Sequence, residues 1–271
     1  MHHVVPTSDW PQAWHTAYAF DCEEVYGQIR NRGYAYAYAE RQHQTLQMVQ
    51  RSVPAGARVL DIAAAQGNFS LALAEAGYNV TWNDLRSDLV DYVKLKHQNG
   101  QVSYAAGNAF ELQFAQPFDA VLITEVIEHV AHPDQFLAKV AELVKPGGAI
   151  IMTTPNGAYL RNTLPRFSDC PDPSVYESGQ FKPDADGHIF LLYPDEINRF
   201  AKQCGLQIEH CSYFVNPLTN GHLKTAALLA VLPRSWVQRI ERLTQGLPTG
   251  WQQKLLIQVG VVFRKPLPAK L

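Results

Sequence analysis

The sequence predicts an α/β chain: a doubly wound, mostly parallel seven-stranded sheet with an N-terminal helical cap and a C-terminal helical insertion. Three observations carry this reading. Short strand-like runs alternate with stretches of helical period between residues 58 and 153, the pattern of parallel strands joined by right-handed crossovers. The apolar run Val59-Leu60-Asp61-Ile62 opens into the small-residue turn Ala63-Ala64-Ala65-Gln66-Gly67 and then into a helix marked by Leu71, Leu73 and Ala74. An acid, Asp84, ends the next strand, where a carboxylate can grip ribose hydroxyls one strand over.

Taken in order, residues 1–56 form the cap. Trp14, Tyr18, Cys22 and Val25 recur at helical spacing, and Leu46, Val49 and Gln50 lead into the breaker Ser52-Val53-Pro54-Ala55-Gly56. Between the two cap helices the run Asn31 to Tyr38 places tyrosines at 34, 36 and 38, either as a lid over a ligand or as helix packing. The core, residues 57–215, then reads as strand Arg58 to Ile62, helix Asn68 to Ala76, strand Asn79 to Asn83, helix Ser87 to Gln98 and strand Val102 to Ala106. A fourth strand, Phe118 to Ile123, precedes helix Pro133 to Val144 and strand Ala149 to Thr153. Residues 157–187 lose periodicity and gain prolines, including Pro183, so they are expected to be an insertion facing the substrate. Helix Asp195 to Cys204 and strand Leu206 to Phe214 resume the sheet. Residues 216–271 supply helical segments and the final strand, Val259 to Phe263.

Composition narrows the function classes. The 271 residues carry a formal charge of −2 and are 46% hydrophobic, ordinary for a globular core. From His222 onward Lys and Arg outnumber acids eight to one, so an acidic body bears a basic tail region. Cys22, Cys170, Cys204 and Cys211 form no Cys-x-x-Cys pair, which argues against a zinc ribbon or a disulfide framework and for reduced thiols. With no long apolar run and no signal-peptide core, a cytoplasmic protein is expected.

The ordered series Asp61-x-Ala63-x-Ala65-x-Gly67, Asp84, Gly107-Asn108-Ala109, Phe118 to Ile123 and Leu143-Val144-Lys145-Pro146-Gly147-Gly148 resembles the class I S-adenosylmethionine-dependent methyltransferases over residues 57–214. The resemblance implies a Rossmann-like fold whose last strand inserts antiparallel. A hydride-transferring dinucleotide enzyme fits less well, since those favour Gly-x-Gly-x-x-Gly and lack the Lys-Pro-Gly-Gly turn. It also implies a donor site in which Asp61 orders the turn and Gly67 opens a helix N-terminus toward the donor carboxylate. Asp84 would hold the ribose, Leu85 would face adenine, and Asn108, Ala109 and Thr124 would complete the pocket. Ala63 and Ala65 stand where the family usually has glycine, and Asn108 where it often has Asp.

Thr124-Glu125-Val126-Ile127-Glu128-His129 lies at the carboxyl end of the fourth strand, the edge where such sheets bind substrates. Glu125, Glu128 and His129, at i, i+3 and i+4, converge if the segment takes a helical turn. With His188, from Asp186-Gly187-His188, they resemble the Glu-x-x-Glu-His and distant His of small-RNA 2′-O-methyltransferases and ubiquinone-pathway O-methyltransferases. The resemblance implies a divalent metal held by Glu125, Glu128, His129 and His188; the alternative is a Glu that brace the turn and a His that lines the pocket. Either way His129 and His188 are candidate bases, with Glu128 as orienting partner. Thr154-Pro155-Asn156 resembles the end of the fifth strand in the ubiquinone-type branch, which implies that Asn156 orients the acceptor, and Arg161 and Arg166 are candidates to meet an anionic group or to be solvated.

The expected activity is methylation of a small-molecule hydroxyl. A metal-assisted RNA methyltransferase is the second reading, weakened by the lack of a dense basic patch. A non-catalytic binding protein of the same fold is the third. Leu228, Leu229, Trp236, Ile240, Leu243 and Trp251 interleave with Arg234, Arg239, Arg242 and Lys254, which reads as either an ordinary lid or dimer helix, or a peripheral membrane contact.

Overall fold

The computed structural model describes residues 1–180, 187–221 and 223–268; Pro183, Asp186 and His222 lie outside these. Two cap helices, α1 (Gln12–Glu24) and α2 (Arg32–Ser52), precede the sheet. Asn31 caps α2 by accepting from the Tyr34 amide at 3.2 Å, a bond worth about 1 kcal/mol to a helix. The tyrosine run therefore does not lie between the helices. It forms the first turns of α2, with Tyr38 buried beside Phe69 at 5.9 Å and Tyr34 reaching back to Glu24.

The alternating units follow as β1 (Arg58–Ile62), α3 (Asn68–Glu75), β2 (Asn79–Asp84), α4 (Leu89–Lys96), β3 (Gln101–Ala106), β4 (Phe118–Thr124), α5 (Pro133–Leu143) and β5 (Val144–Pro155). Then come α6 (Pro194–Gln203), β6 (Gln207–Phe214), α7 (Ala226–Val231), α8 (Arg234–Gln245), α9 (Thr249–Leu255) and β7 (Gln258–Arg264). The sheet order is β3-β2-β1-β4-β5-β7-β6, with β7 antiparallel to both neighbours. That is the seven-stranded architecture and the inverted final strand that the sequence implied.

β5 begins earlier than expected. Val144 already pairs with Phe118, and the Lys-Pro-Gly-Gly run is an irregularity inside the strand, after which Ala149 pairs with Ala120. Gly147 takes φ 78°, and a Cβ on Gly148 would meet the Asp119 carbonyl at 2.8 Å, which is why this turn is built of glycines. Lys145 is paired with Asp119 across it.

The two faces of the sheet are covered separately. Leu60, Val121, Ile123, Ile150 and Val261 pack against α5 and α6 through Leu137, Val140, Ile197 and Phe200. Val59, Val80, Leu122 and Ile151 pack against α2 and α3 through Met48, Val49 and Leu73. With both faces buried, the strands read as near-continuous apolar runs, and their carboxyl ends are left as the open edge. Among the described residues no helix is long and apolar enough to cross a membrane. α8 buries Val237 and Glu241 and leaves Trp236 and Leu243 exposed, as is Trp251 on α9.

Candidate active site

Two cavities meet the carboxyl edge of the sheet. The first, about 320 Å³, is walled by Ile62, Ala63, Asn83, Leu85, Gly107, Asn108, Ala109 and Phe110, and across from them by Val126, Val130, Gln135, Phe136, Glu177 and Gln180. The second, about 680 Å³, lies between α2 and β5 and includes Tyr34, Arg41, Glu125, Asn156, Tyr159, Arg161 and His188.

The turn between β1 and α3 sets the first cavity. Ala63 and Ala65 sit at φ 56° and 48°, and Gly67 at 76°. A side chain in this left-handed region costs about 1–2 kcal/mol, so two alanines here store strain that the surrounding bonds must hold. Gly67 has a second reason to lack a side chain: a Cβ would lie 2.6 Å from Val93. The Ala64 amide donates to the Asn83 carbonyl at 2.9 Å and the Ala65 amide to Asp84 Oδ2 at 2.8 Å. Asp84 is almost wholly buried, and its Oδ1 accepts from the Arg86 amide at 2.9 Å and Nε at 3.1 Å.

Asp61 is buried beneath the same turn. Its Oδ2 accepts from the Ser70 hydroxyl at 2.6 Å, while Oδ1 has no partner among the described residues. Burial, with a smaller push from Asp84, raises its carboxyl to about 7. Leu85 is 53% exposed on the rim of the first cavity, and Ala109 forms its floor. Asn108 lines that cavity too, but its side chain is engaged locally: Oδ1 accepts from the Phe110 amide and Nδ2 donates to Glu111. Thr124 ends β4 against Thr153 and lines neither cavity.

After β4 the chain makes a single 3-10 turn, Ile127–His129, rather than an α-helical one. Glu125 stands just before it at φ 54°. The i, i+3, i+4 convergence therefore fails for Glu125, whose oxygens accept from Arg41 at 3.1 Å, Gln258 at 2.7 Å and Thr153 at 3.0 Å. The other three residues do converge. Ligand atoms of Glu128, His129 and His188 lie within 4.8 Å of one another, and the two imidazoles are 4.9 Å apart in an edge-to-face arrangement.

Glu128 is fully buried; Oε2 accepts from Thr154 Oγ1 at 3.0 Å and Oε1 has no partner among the described residues. Burial first, and the neighbouring Glu125 charge second, push its carboxyl well above the usual range. His129 Nδ1 lies 3.2 Å from the Gly187 carbonyl. A carbonyl only accepts, so Nδ1 carries the proton and a neutral ring leaves Nε2 with its lone pair.

Arg41 was invisible to motif reasoning. It lies in α2, 84 positions from the Glu125 it pairs with, and its buried Nε has no partner among the described residues. Asn156 lines the second cavity, and its amide donates to the Gln253 and Leu256 carbonyls, both at 2.7 Å, fastening the end of β5 to α9. Arg166 is paired with Asp195, whereas Arg161 faces the second cavity. Of the expected insertion, Tyr159 and Arg161 to Leu164 line the second cavity, and Glu177 and Gln180 line the first.

A methyltransferase domain family model matches residues 32–211. A ubiquinone biosynthesis O-methyltransferase of Aromatoleum aromaticum is 34% identical over 173 residues, 61% of this chain and 70% of the relative. One of Xanthomonas axonopodis is 32% identical over 166 residues, 60% and 67% of the two chains. The N-methyltransferase NodS of Bradyrhizobium japonicum, solved with S-adenosyl-L-homocysteine, shares the fold at a TM-score of 0.54 and 13% identity, over 94% of this chain and all of that one. With the seven-stranded sheet, the left-handed turn and the buried acid at the end of β2, these place the chain in the methyltransferase family as an S-adenosylmethionine-dependent enzyme.

Proposed function

We propose that the enzyme methylates a hydroxyl of a small molecule, with a quinol-type ring as the acceptor class that the curated relatives' names suggest. The observation that carries this is the imidazole pair: His188 lines the second cavity, and His129 stands behind it at 4.9 Å, beside buried Glu128. Hydroxyl methylation needs a group to take the proton, and an imidazole with a free lone pair is suited to it.

In this reading adenine occupies the first cavity against Leu85, Ala109 and Phe110, with the ribose hydroxyls at Asp84. Reaching that carboxylate displaces the Arg86 guanidinium, whose side chain is 43% exposed and able to swing out. On the cap side of the alanine turn stand groups that would hold the methionyl end. There Arg41 offers its unpartnered Nε to the donor carboxylate, and Asp61 Oδ1 is an acceptor for the donor ammonium. The sulfonium is already the electrophile, so the protein's task is to align oxygen, methyl and sulfur and exclude water. His129, with Nδ1 fixed by the Gly187 carbonyl, accepts the hydroxyl proton at Nε2, and Glu128, within 4.8 Å of both rings, helps to position them.

The same three side chains support a second reading. Glu128, His129 and His188 would hold a divalent cation, which satisfies Glu128 Oε1 and lowers the pKa of a bound hydroxyl. Glu125, committed to Arg41, Thr153 and Gln258, is not part of this set. The free state of all four cysteines supports a reducing, cytoplasmic setting.

Transfer of a labelled methyl group to hydroxylated aryl acceptors tests the reading. His129→Ala and His188→Ala are each expected to lower kcat about 100-fold, and unchanged turnover in both removes the base. Full activity after EDTA treatment removes the metal and leaves the imidazole base standing.

A further inference from the structure

Lys96 closes α4, and its side chain is wholly buried, as is that of Asp21 on α1. Its ammonium lies 2.6 Å from Asp21 Oδ2, 2.6 Å from Asn68 Oδ1 and 2.8 Å from the Gln66 carbonyl. An ammonium has three protons to donate, so these acceptors saturate it. Two of them belong to the turn proposed to bind the donor and to the first residue of α3 that follows it.

Successive carbonyls of that turn are all drawn into the protein. The Ala64 carbonyl accepts from the Gly67 amide at 2.8 Å, the Ala65 carbonyl from the Trp82 indole at 3.0 Å, and the Gln66 carbonyl from Lys96. The turn needs such restraint because Ala63 and Ala65 are held in a left-handed conformation that alanine resists.

We infer that Lys96 is a positioning residue for the methyl donor: it holds the Gln66 carbonyl and the Asn68 side chain so that the alanine turn keeps its left-handed shape. Lys96 lines neither cavity and acts through the turn. Asp21 balances its charge and also accepts from Asn68 Nδ2 at 2.8 Å and the Tyr92 hydroxyl at 2.5 Å. Glu24, one turn further along α1, accepts from Gln66 Nε2 at 2.8 Å and Asn68 Nδ2 at 2.9 Å. The cap helix and the donor turn are thereby fastened together by one buried cluster, whichever acceptor the enzyme uses.

Calorimetric titration of the full chain with S-adenosylhomocysteine tests this without an acceptor. Lys96→Met alone strands the Asp21 carboxylate and destabilises the fold, so the decisive variant is Asp21→Asn/Lys96→Met, which removes both charges. It is expected to melt near the parent enzyme yet bind the product about tenfold more weakly. Adding Ala65→Gly, which takes the left-handed conformation without a Cβ penalty, is expected to recover most of that loss. Parental affinity in the folded double variant overturns the inference, and so does a loss that Ala65→Gly leaves untouched. A pair serving stability alone would show up in the melting temperature of Lys96→Met and nowhere in the affinity of the double variant.

Discussion

In the proposed binding mode the donor and acceptor sides of this enzyme are built by opposite means. The donor side is assembled mainly from residues 61–110, a nearly continuous stretch, and uses backbone groups and small side chains at the ends of consecutive strands. The acceptor side draws on α2, the end of β5, the 157–164 segment, His188 and the start of β7, and works through long side chains. A site made of backbone approach leaves its signature in adjacent residues. A site made of side chains from distant elements leaves almost none.

The sharpest way to break this contrast is Asp84→Ala. One carboxylate braces the Ala65 amide, engages Arg86 and, in the proposed binding mode, holds the ribose. Its removal is expected to weaken S-adenosylhomocysteine binding about 100-fold, the loss of two or three charge-assisted hydrogen bonds. Asp84→Asn, still able to accept from Ala65, should lose less. If calorimetry finds Asp84→Ala within threefold of the parent, the donor side is not organised around that acid.

What was legible in the sequence follows the same division. The small-residue turn, Asp84 and the strand alternation are local patterns, and the strands appear where the pattern puts them, except that β5 starts early, at Val144. Ala63 and Ala65 adopt φ angles that glycine would take freely, so even the departures from the family pattern carry structural meaning. Glu125 stays outside the Glu128, His129 and His188 group because the segment does not take the helical turn on which that convergence depends. Its left-handed backbone sends the side chain to Arg41 and Gln258, partners 84 and 133 positions away. Arg41 and Lys96 gave no signal for the same reason: a buried cation is recognised by its acceptors, and those of Lys96 come from α1 and the donor turn. Asn156 lines the second cavity while its amide is spent on the end of α9, a tie that no local pattern marks.

A pH titration of stability sharpens the picture of the donor side. Asp61 is held with its carboxyl raised to about 7 against an ordinary value of 3.8. The folded chain therefore binds this proton more tightly than the unfolded chain. Its contribution is fully present below pH 3.8 and is lost as pH rises through about 7. That span corresponds to at most about 4 kcal/mol, trimmed to roughly 2 by relaxation around the ionised group. Asp61→Asn should flatten the slope of chemical-denaturation stability between those limits while keeping an acceptor for the Ser70 hydroxyl. A slope unchanged by this substitution would mean that Asp61 ionises in the folded chain without cost.

The smallest expected effect isolates the backbone from everything else. Ala63→Gly removes one methyl group at φ 56°, where the left-handed conformation costs alanine about 1–2 kcal/mol. Glycine gives back part of that gain through its greater freedom in the unfolded chain, about 0.4–1 kcal/mol. The net expectation is a folded state more stable by roughly 0.5–1 kcal/mol, read as a shifted denaturation midpoint with unchanged slope. Donor affinity should hold or improve, because the conformation that binds is the one relieved of strain. A destabilised Ala63→Gly would show instead that the methyl group packs against the pocket wall strongly enough to outweigh the backbone penalty, and that this alanine is there for its side chain.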